Sequence, residues 1–109
     1  MTTSRHYVFQ HPGDQAIPEG AHQTALEVLQ GAQRQNWWYR DGQVQGEAFN
    51  RLVISFVVHA RDQWWCHHRA TRLATDCYYA MGLTEQDVPA PVWEPLAPHT
   101  NRGRYRVTE

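Results

Sequence analysis

Lysine is missing altogether: all ten basic residues of this 109-residue chain are arginines. Two readings fit that absence. A genome rich in G and C favours arginine codons without touching function; alternatively, planar donors that stack and bind carboxylate or phosphate bidentately are at work. Excess charge is lacking too. Eleven acidic residues give a net charge of −1 with histidine neutral, which excludes a strongly electrostatic partner spread over the whole surface. Only two cysteines are present, Cys66 and Cys77, which fits a reducing compartment better than a disulfide framework. Long apolar runs are also absent. The longest, Leu52 to Val58, is broken by Ser55 and falls far short of the ~18 residues of a membrane span. Met1-Thr2-Thr3-Ser4-Arg5-His6 lacks the apolar core of a secretory signal. These absences together predict a soluble, cytoplasmic protein.

Several chemistries lack their motifs. Cys66, His67, His68, Cys77 and His59 form a pool of metal ligands, but no C-x-x-C or H-E-x-x-H exists. On one helix Cys66 and Cys77 would lie ~16 Å apart, too far to share a zinc ion or a disulfide. His67 and His68 would diverge by ~100°. No metal and no cofactor are expected. There is no G-x-S-x-G nucleophile elbow, and both cysteines read as small buried hydrophobes. Asp62 reads as a helix cap, not as half of a carboxylate pair. Arg61-Asp62 followed by His67 gives R-D-x4-H, which resembles the Arg/His motif of helical HEPN-type ribonucleases over seven residues; that family is all-helical, whereas Arg61 is placed here at a strand end. No catalytic residue is assigned, and the chain is expected not to be an enzyme.

What is present is a pattern of alternating elements. Residues 7–10 read as a short strand before the turn His11-Pro12-Gly13-Asp14. A helix follows near 19–35, with Ala21, Ala25, Leu26, Val28, Leu29 and Ala32 at helical spacing. Glu19 and Arg34 suit its dipole. Trp37-Trp38-Tyr39-Arg40 and residues 43–47 can form two strands around a hairpin at Asp41-Gly42, or run directly into the next element. Residues 51–60 hold Val53, Ile54, Val57 and Val58, and read as a central strand. The rival is one long helix from Glu47 to Met81, which β-branched clustering disfavours. Asp62 caps a second helix, 63–81, and Gly82 ends it. Thr84 starts one more helical turn. Pro89, Pro91, Pro95 and Pro98 make 89–98 an extended arm pinned by Trp93 and Leu96. The end, Asn101 to Val107, is a free tail or a last edge strand.

The expected architecture is therefore α+β. It is a two-layer sandwich with two helices on an antiparallel sheet, β-α-β-β-α-like, carrying an extended Pro-rich C-terminal arm. Residues 1–88 form the compact domain, and 89–109 the arm and Arg-rich tail.

The second helix has an unusual composition. Cys66, Ala70, Leu73, Ala74, Cys77, Ala80 and Met81 share the core arc. Trp65, His68, Arg72 and Tyr79 line the opposite side. Aromatic residues beside arginine on a solvent face have the make-up of a binding surface, unless the Pro-rich arm or the Trp37-Trp38-Tyr39 run covers it. The expectation is a small, non-enzymatic interaction or regulatory protein, an accessory protein of a bacterium or phage. It would bind a protein partner, or itself as a dimer, through Trp65, His68, Arg72 and Tyr79, with Trp37 and Trp38 as a second patch. The alternative is a nucleic-acid-associated regulator using Arg102, Arg104, Tyr105 and Arg106, whose interleaved arginine and aromatic character suits a nucleic-acid backbone. Against it, the whole-chain pI is about 6.6, well below the ~9 usual for dedicated binders.

Overall fold

The structure, a computed structural model, describes residues 2–46 and 51–96. Four strands and two helices follow one another as β1 (Thr3–Gln10), α1 (Ala21–Gln35), β2 (Tyr39–Gln45), β3 (Val53–Ala60), α2 (Gln63–Ala80) and β4 (Val92–Pro95), with a short 3-10 turn at Glu85–Asp87 before β4. The sheet order is β2-β3-β1-β4, and every neighbouring pair is antiparallel. Two β-α-β units are thus interleaved, each inserting a strand between the two strands of the other. This is the ferredoxin-like, split β-α-β arrangement. Both helices lie on one face, α1 against β2 and α2 against β3 and β1.

The β-branched run decides the centre. β3 pairs with β1 on one side and β2 on the other, so it is the central strand that Val53, Ile54, Val57 and Val58 favour. Alternation aims Ile54, Phe56 and Val58 at the helices, opposite Phe9, Tyr7 and Arg5 of β1. The Phe9 and Phe56 rings stack at 5.7 Å. From above, α1 contributes Ala21, Ala25 and Leu29, and α2 contributes Cys66, Ala70, Leu73, Ala74, Cys77 and Tyr78. The small residues on α2 let the helix lie close to the sheet. Ala80, expected in this arc, is exposed. Tyr78 is buried instead, its ring one position nearer the core, with its hydroxyl held by buried His11 at 2.7 Å.

Helix ends follow their capping residues. Asp62 accepts a hydrogen bond from the Trp65 backbone N–H at 2.9 Å, a cap worth about 1 kcal/mol. At the other end Gly82 has φ +89°. The Leu83 and Gly82 N–H groups donate to the Tyr78 and Tyr79 carbonyls, which is a Schellman closure. α1 begins at Ala21 after left-handed Gly20, so Glu19 precedes the first turn.

Two expectations need correction. Asp41-Gly42 makes no hairpin: β2 continues through it and keeps β3 as its partner. Pairing jumps from Arg40↔Val57 to Gln43↔Ser55, so two residues of β2 face one of β3, a β-bulge. Asp41 takes φ +55°, and the Gly42 N–H donates to the Gln33 side chain on α1 at 2.6 Å. That bond is open because Gly42 lies against Leu29, where a Cβ would come within 3.1 Å of the Leu29 Cβ. The second correction concerns the last strand. Val92–Pro95, inside the Pro-rich segment, adds to β1 as the sheet edge. Proline fits there because an edge strand leaves one row of N–H positions unpaired. Residues 97–109 lie outside the described residues, so Pro98 and the segment Asn101 to Val107 do too.

Candidate functional site

The four tryptophans at positions 37, 38, 64 and 65 arrive as two adjacent pairs from distant parts of the chain. The first pair sits just before β2, the second on the opening turn of α2. Split β-α-β topology brings the start of β2, the end of β3 and the N-terminus of α2 to one end of the sheet. Backbone and side-chain bonds stitch them there. The His59 N–H donates to the Trp38 carbonyl at 2.8 Å, Arg69 donates to the His59 carbonyl at 2.9 Å, and the Tyr39 hydroxyl donates to the Arg69 carbonyl at 2.8 Å.

The result is a ladder of rings. Trp37 and Trp38 meet edge to face at 5.9 Å, as do Trp64 and Trp65 at 4.9 Å. Between the inner members lies Arg69, its guanidinium 4.2 Å from the Trp38 ring centre and 6.0 Å from that of Trp65. Each outer indole is backed by a nearly parallel imidazole. Trp37 stacks on His59 (6.4 Å, 17°) and Trp64 on His68 (5.1 Å, 6°). The inner indoles are half-buried, whereas Trp37 and Trp64 are 68% and 61% exposed. Cation–π contacts of this kind contribute about 0.5–2 kcal/mol each. Arg61 adds a further one over Trp65 at 5.3 Å.

Beside the ladder a groove of about 620 Å³ runs between the two helices. Trp38, Trp65, His68, Arg69, Arg72 and Asp76 give it its polar and aromatic character. Five of the six partner-binding positions read from the sequence therefore gather here: Trp65, His68, Arg72 and Trp38 on the groove and Trp37 at the ladder's end. Tyr79 is elsewhere, at the far end of α2, where its hydroxyl donates to Glu85. Trp64, Arg69 and His59 were not among those positions. Their signal was the second Trp-Trp pair and an arginine four residues on from Trp65, but a helical wheel cannot show that Trp38 packs onto Arg69 from another element. Among the described residues the Pro-rich segment does not line the groove or the recess beside the ladder. Trp93 stacks instead over the Arg5 guanidinium at 3.7 Å. Arg102, Arg104, Tyr105 and Arg106 lie outside the described residues.

Burial shifts His59 and both cysteines from their ordinary values. Burial pushes His59 below its ordinary value, and the nearby Arg40 charge adds to the effect. Its Nδ1 shares a 2.6 Å hydrogen bond with the Ser4 hydroxyl across the open face of the sheet. No carboxylate hydrogen-bonds the other imidazole nitrogen among the described residues, so the pair lacks the orienting acid of a nucleophilic triad. Burial raises the Cys66 thiol and pushes Cys77 up to about 12. Both thiols are protonated at neutral pH, which removes nucleophilic character. Among the described residues no group of three or more His, Cys, Asp or Glu side chains could hold a metal ion. No described helix is long and apolar enough to cross a membrane.

His59 gives a pH-dependent prediction. Its folded value is depressed, so the unfolded chain takes up the proton first. The stability it contributes is complete above the unfolded value of about 6.5, and is lost as the pH falls from there through the folded value. Thermal melts between about pH 7.5 and pH 5 are expected to show a smaller fall in His59→Gln than in the wild type. An equal fall in both proteins would contradict the assignment.

The fold and site together define a ferredoxin-like α+β protein with a tryptophan–arginine surface at one end of its sheet. No protein-family model matches the chain, and neither a curated protein nor a solved structure matches it.

Proposed function

We propose that this protein is a non-enzymatic interaction module, a small cytoplasmic accessory protein that holds a partner macromolecule on the tryptophan–arginine ladder and its groove. One observation carries the reading: two tryptophan pairs, 26 residues apart in sequence at their nearest members (Trp38 and Trp64), converge on Arg69 while leaving their outer indoles exposed. Folding alone gives no reason to leave two indoles largely in water. Tryptophan, tyrosine and arginine are also the residues that dominate binding hot spots. The non-enzymatic reading is supported by the protonated, buried thiols and by a Ser4–His59 pair without an orienting acid. A bacterial or phage setting rests on size and composition.

The test uses exposed positions. Trp64→Ala and Arg72→Glu are each expected to weaken partner capture by about 2 kcal/mol or more, the scale of a hot spot, with circular dichroism and melting temperature unchanged. Trp65→Ala is a poorer probe, because the Trp65 ring packs against the core and its loss lowers stability as well. Capture that survives both substitutions in folded protein would remove the ladder from the binding site.

A further inference from the structure

We infer that the partner taken by this end of the molecule is single-stranded nucleic acid, with bases stacked on Trp37 and Trp64 and phosphates held by the surrounding arginines. The inference deepens the binding reading above and rests on it.

Three observations carry it. The first is the presentation of the outer indoles. Each stands 61–68% exposed even with a nearly parallel imidazole and a perpendicular indole beside it, so most of its surface is free to meet a flat ring. Nucleobases stack on such platforms irrespective of sequence. A protein partner would gain more from a closed apolar pocket than from two separated faces.

The second is the distribution of charge, which the near-zero total conceals. Arg34 lies in the last turn of α1, Arg40 at the start of β2, Arg61 at the end of β3, and Arg69 and Arg72 in α2. Arg61 and Arg69 meet the ladder's rings, Arg72 lines its groove, and Arg40 lies near His59. Asp14, Glu19, Glu85 and Asp87 sit beyond the opposite ends of these same elements, while Asp41 lies near His59 and Asp76 on the groove. The one ion pair among the described residues is Arg61 with Asp62, at 3.8 Å and with the Arg61 side chain 75% exposed. Asp62 is already engaged as the cap of α2. Arg34, Arg40, Arg61 and Arg72 are exposed, as phosphate contacts require, whereas Arg69 is half-buried between the inner indoles.

The third is space. A recess of about 380 Å³ bounded by Trp37, Arg61, Trp65 and Arg69 adjoins the ladder and shares Trp65 and Arg69 with the groove. The bases of an unpaired strand are free to stack on the outer indoles, whereas those of a duplex are paired and stacked on one another.

The experiment is a fluorescence-anisotropy titration of the full chain into a labelled oligothymidylate of about fifteen nucleotides, with the same sequence in duplex form and polyglutamate as further arms. Binding to the single strand is expected at low salt. Affinity should fall roughly 20-fold between about 50 and about 200 mM salt if three phosphates are engaged. Trp37→Ala and Trp64→Ala should each lower affinity by roughly 5- to 100-fold. Trp64→Phe, which keeps a ring face, should retain most of the affinity that Trp64→Leu loses. Melting curves establish that each variant is folded.

Absence of binding at low salt overturns the inference. So does equal or tighter binding to the duplex or to polyglutamate, or equal losses in the phenylalanine and leucine variants. The ladder reading fails separately. If the oligonucleotide does not bind while a captured protein is released by Trp64→Ala, the ladder stands and its ligand class is wrong. Full oligonucleotide affinity in the Trp37→Ala, Trp64→Ala double variant overturns both.

Discussion

Phe56→Ala is expected to lower the unfolding free energy by about 3–5 kcal/mol, the cost of deleting a fully buried aromatic ring. Phe56 is 0% exposed at the middle of the central strand. Its ring stacks on Phe9 at 5.7 Å and meets Tyr39 edge to face at 6.1 Å. Both helices close over this layer, so no neighbour can collapse into the void without moving an element. The loss is a large share of the roughly 5–15 kcal/mol typical of a domain. It also reaches the candidate site. Tyr39 stands on Phe56 and holds the Arg69 backbone through its hydroxyl, so the ladder loses its support from below. Urea denaturation monitored by circular dichroism measures the effect, and tryptophan emission from the ladder should change at lower denaturant in the variant. A loss below about 1 kcal/mol would mean that the layer repacks.

Gly46→Ala is the second large effect, and it acts through backbone geometry instead of burial. Gly46 has φ +114°, and a Cβ there would stand 2.4 Å from the Arg51 carbonyl oxygen and 2.7 Å from its carbon. Neither the torsion nor the contact suits an L side chain. The expected cost is about 3 kcal/mol, with the strain falling where β2 leaves the sheet and the chain returns to β3. Gly13→Ala is the matched control. A Cβ at Gly13 meets nothing within 4 Å, and a change there is expected to stay within about 0.5 kcal/mol. Equal destabilisation at both positions would show that loss of glycine as such is responsible, not the approach of Arg51.

The elements differ in how far the sequence reveals them. α2 was legible at both ends because its signals are local: Asp62 bonds three residues ahead and Gly82 supplies its own left-handed torsion. The central strand was legible because β-branched side chains crowd a helix and fit a pleat. Asp41-Gly42 misled for a physical reason. The dipeptide permits a left-handed residue, but hairpin and bulge use the same torsion. Which one forms depends on whether β3 continues to offer partners and on the Gln33 side chain arriving from α1. The final strand was hidden in a proline-rich segment because edge pairing tolerates proline, and the edge exists only once β1 has been placed.

The site divides in the same way. Amphipathic spacing was enough to pick out Trp65, His68 and Arg72 as a face of α2, since those positions follow from the helix repeat alone. Tyr79 belongs to that stripe by angle but not by position: it lies fourteen residues from Trp65, about 21 Å along the helix axis. The ladder itself is a property of topology. Trp38 can meet Arg69 only because β2 and β3 pair and α2 crosses back over them.

Composition, periodicity and capping thus determined an α+β chain with its helices, its central strand and its surplus of aromatic and arginine side chains. Those are short-range properties, set by sterics and hydrogen bonds within a few residues. Only the tertiary structure decided that the two tryptophan pairs share one arginine, and that Arg61, Arg69 and Arg72 gather around them in a chain of nearly zero net charge. Contacts between residues distant in sequence are fixed by strand order, and strand order is a choice the whole sheet makes at once.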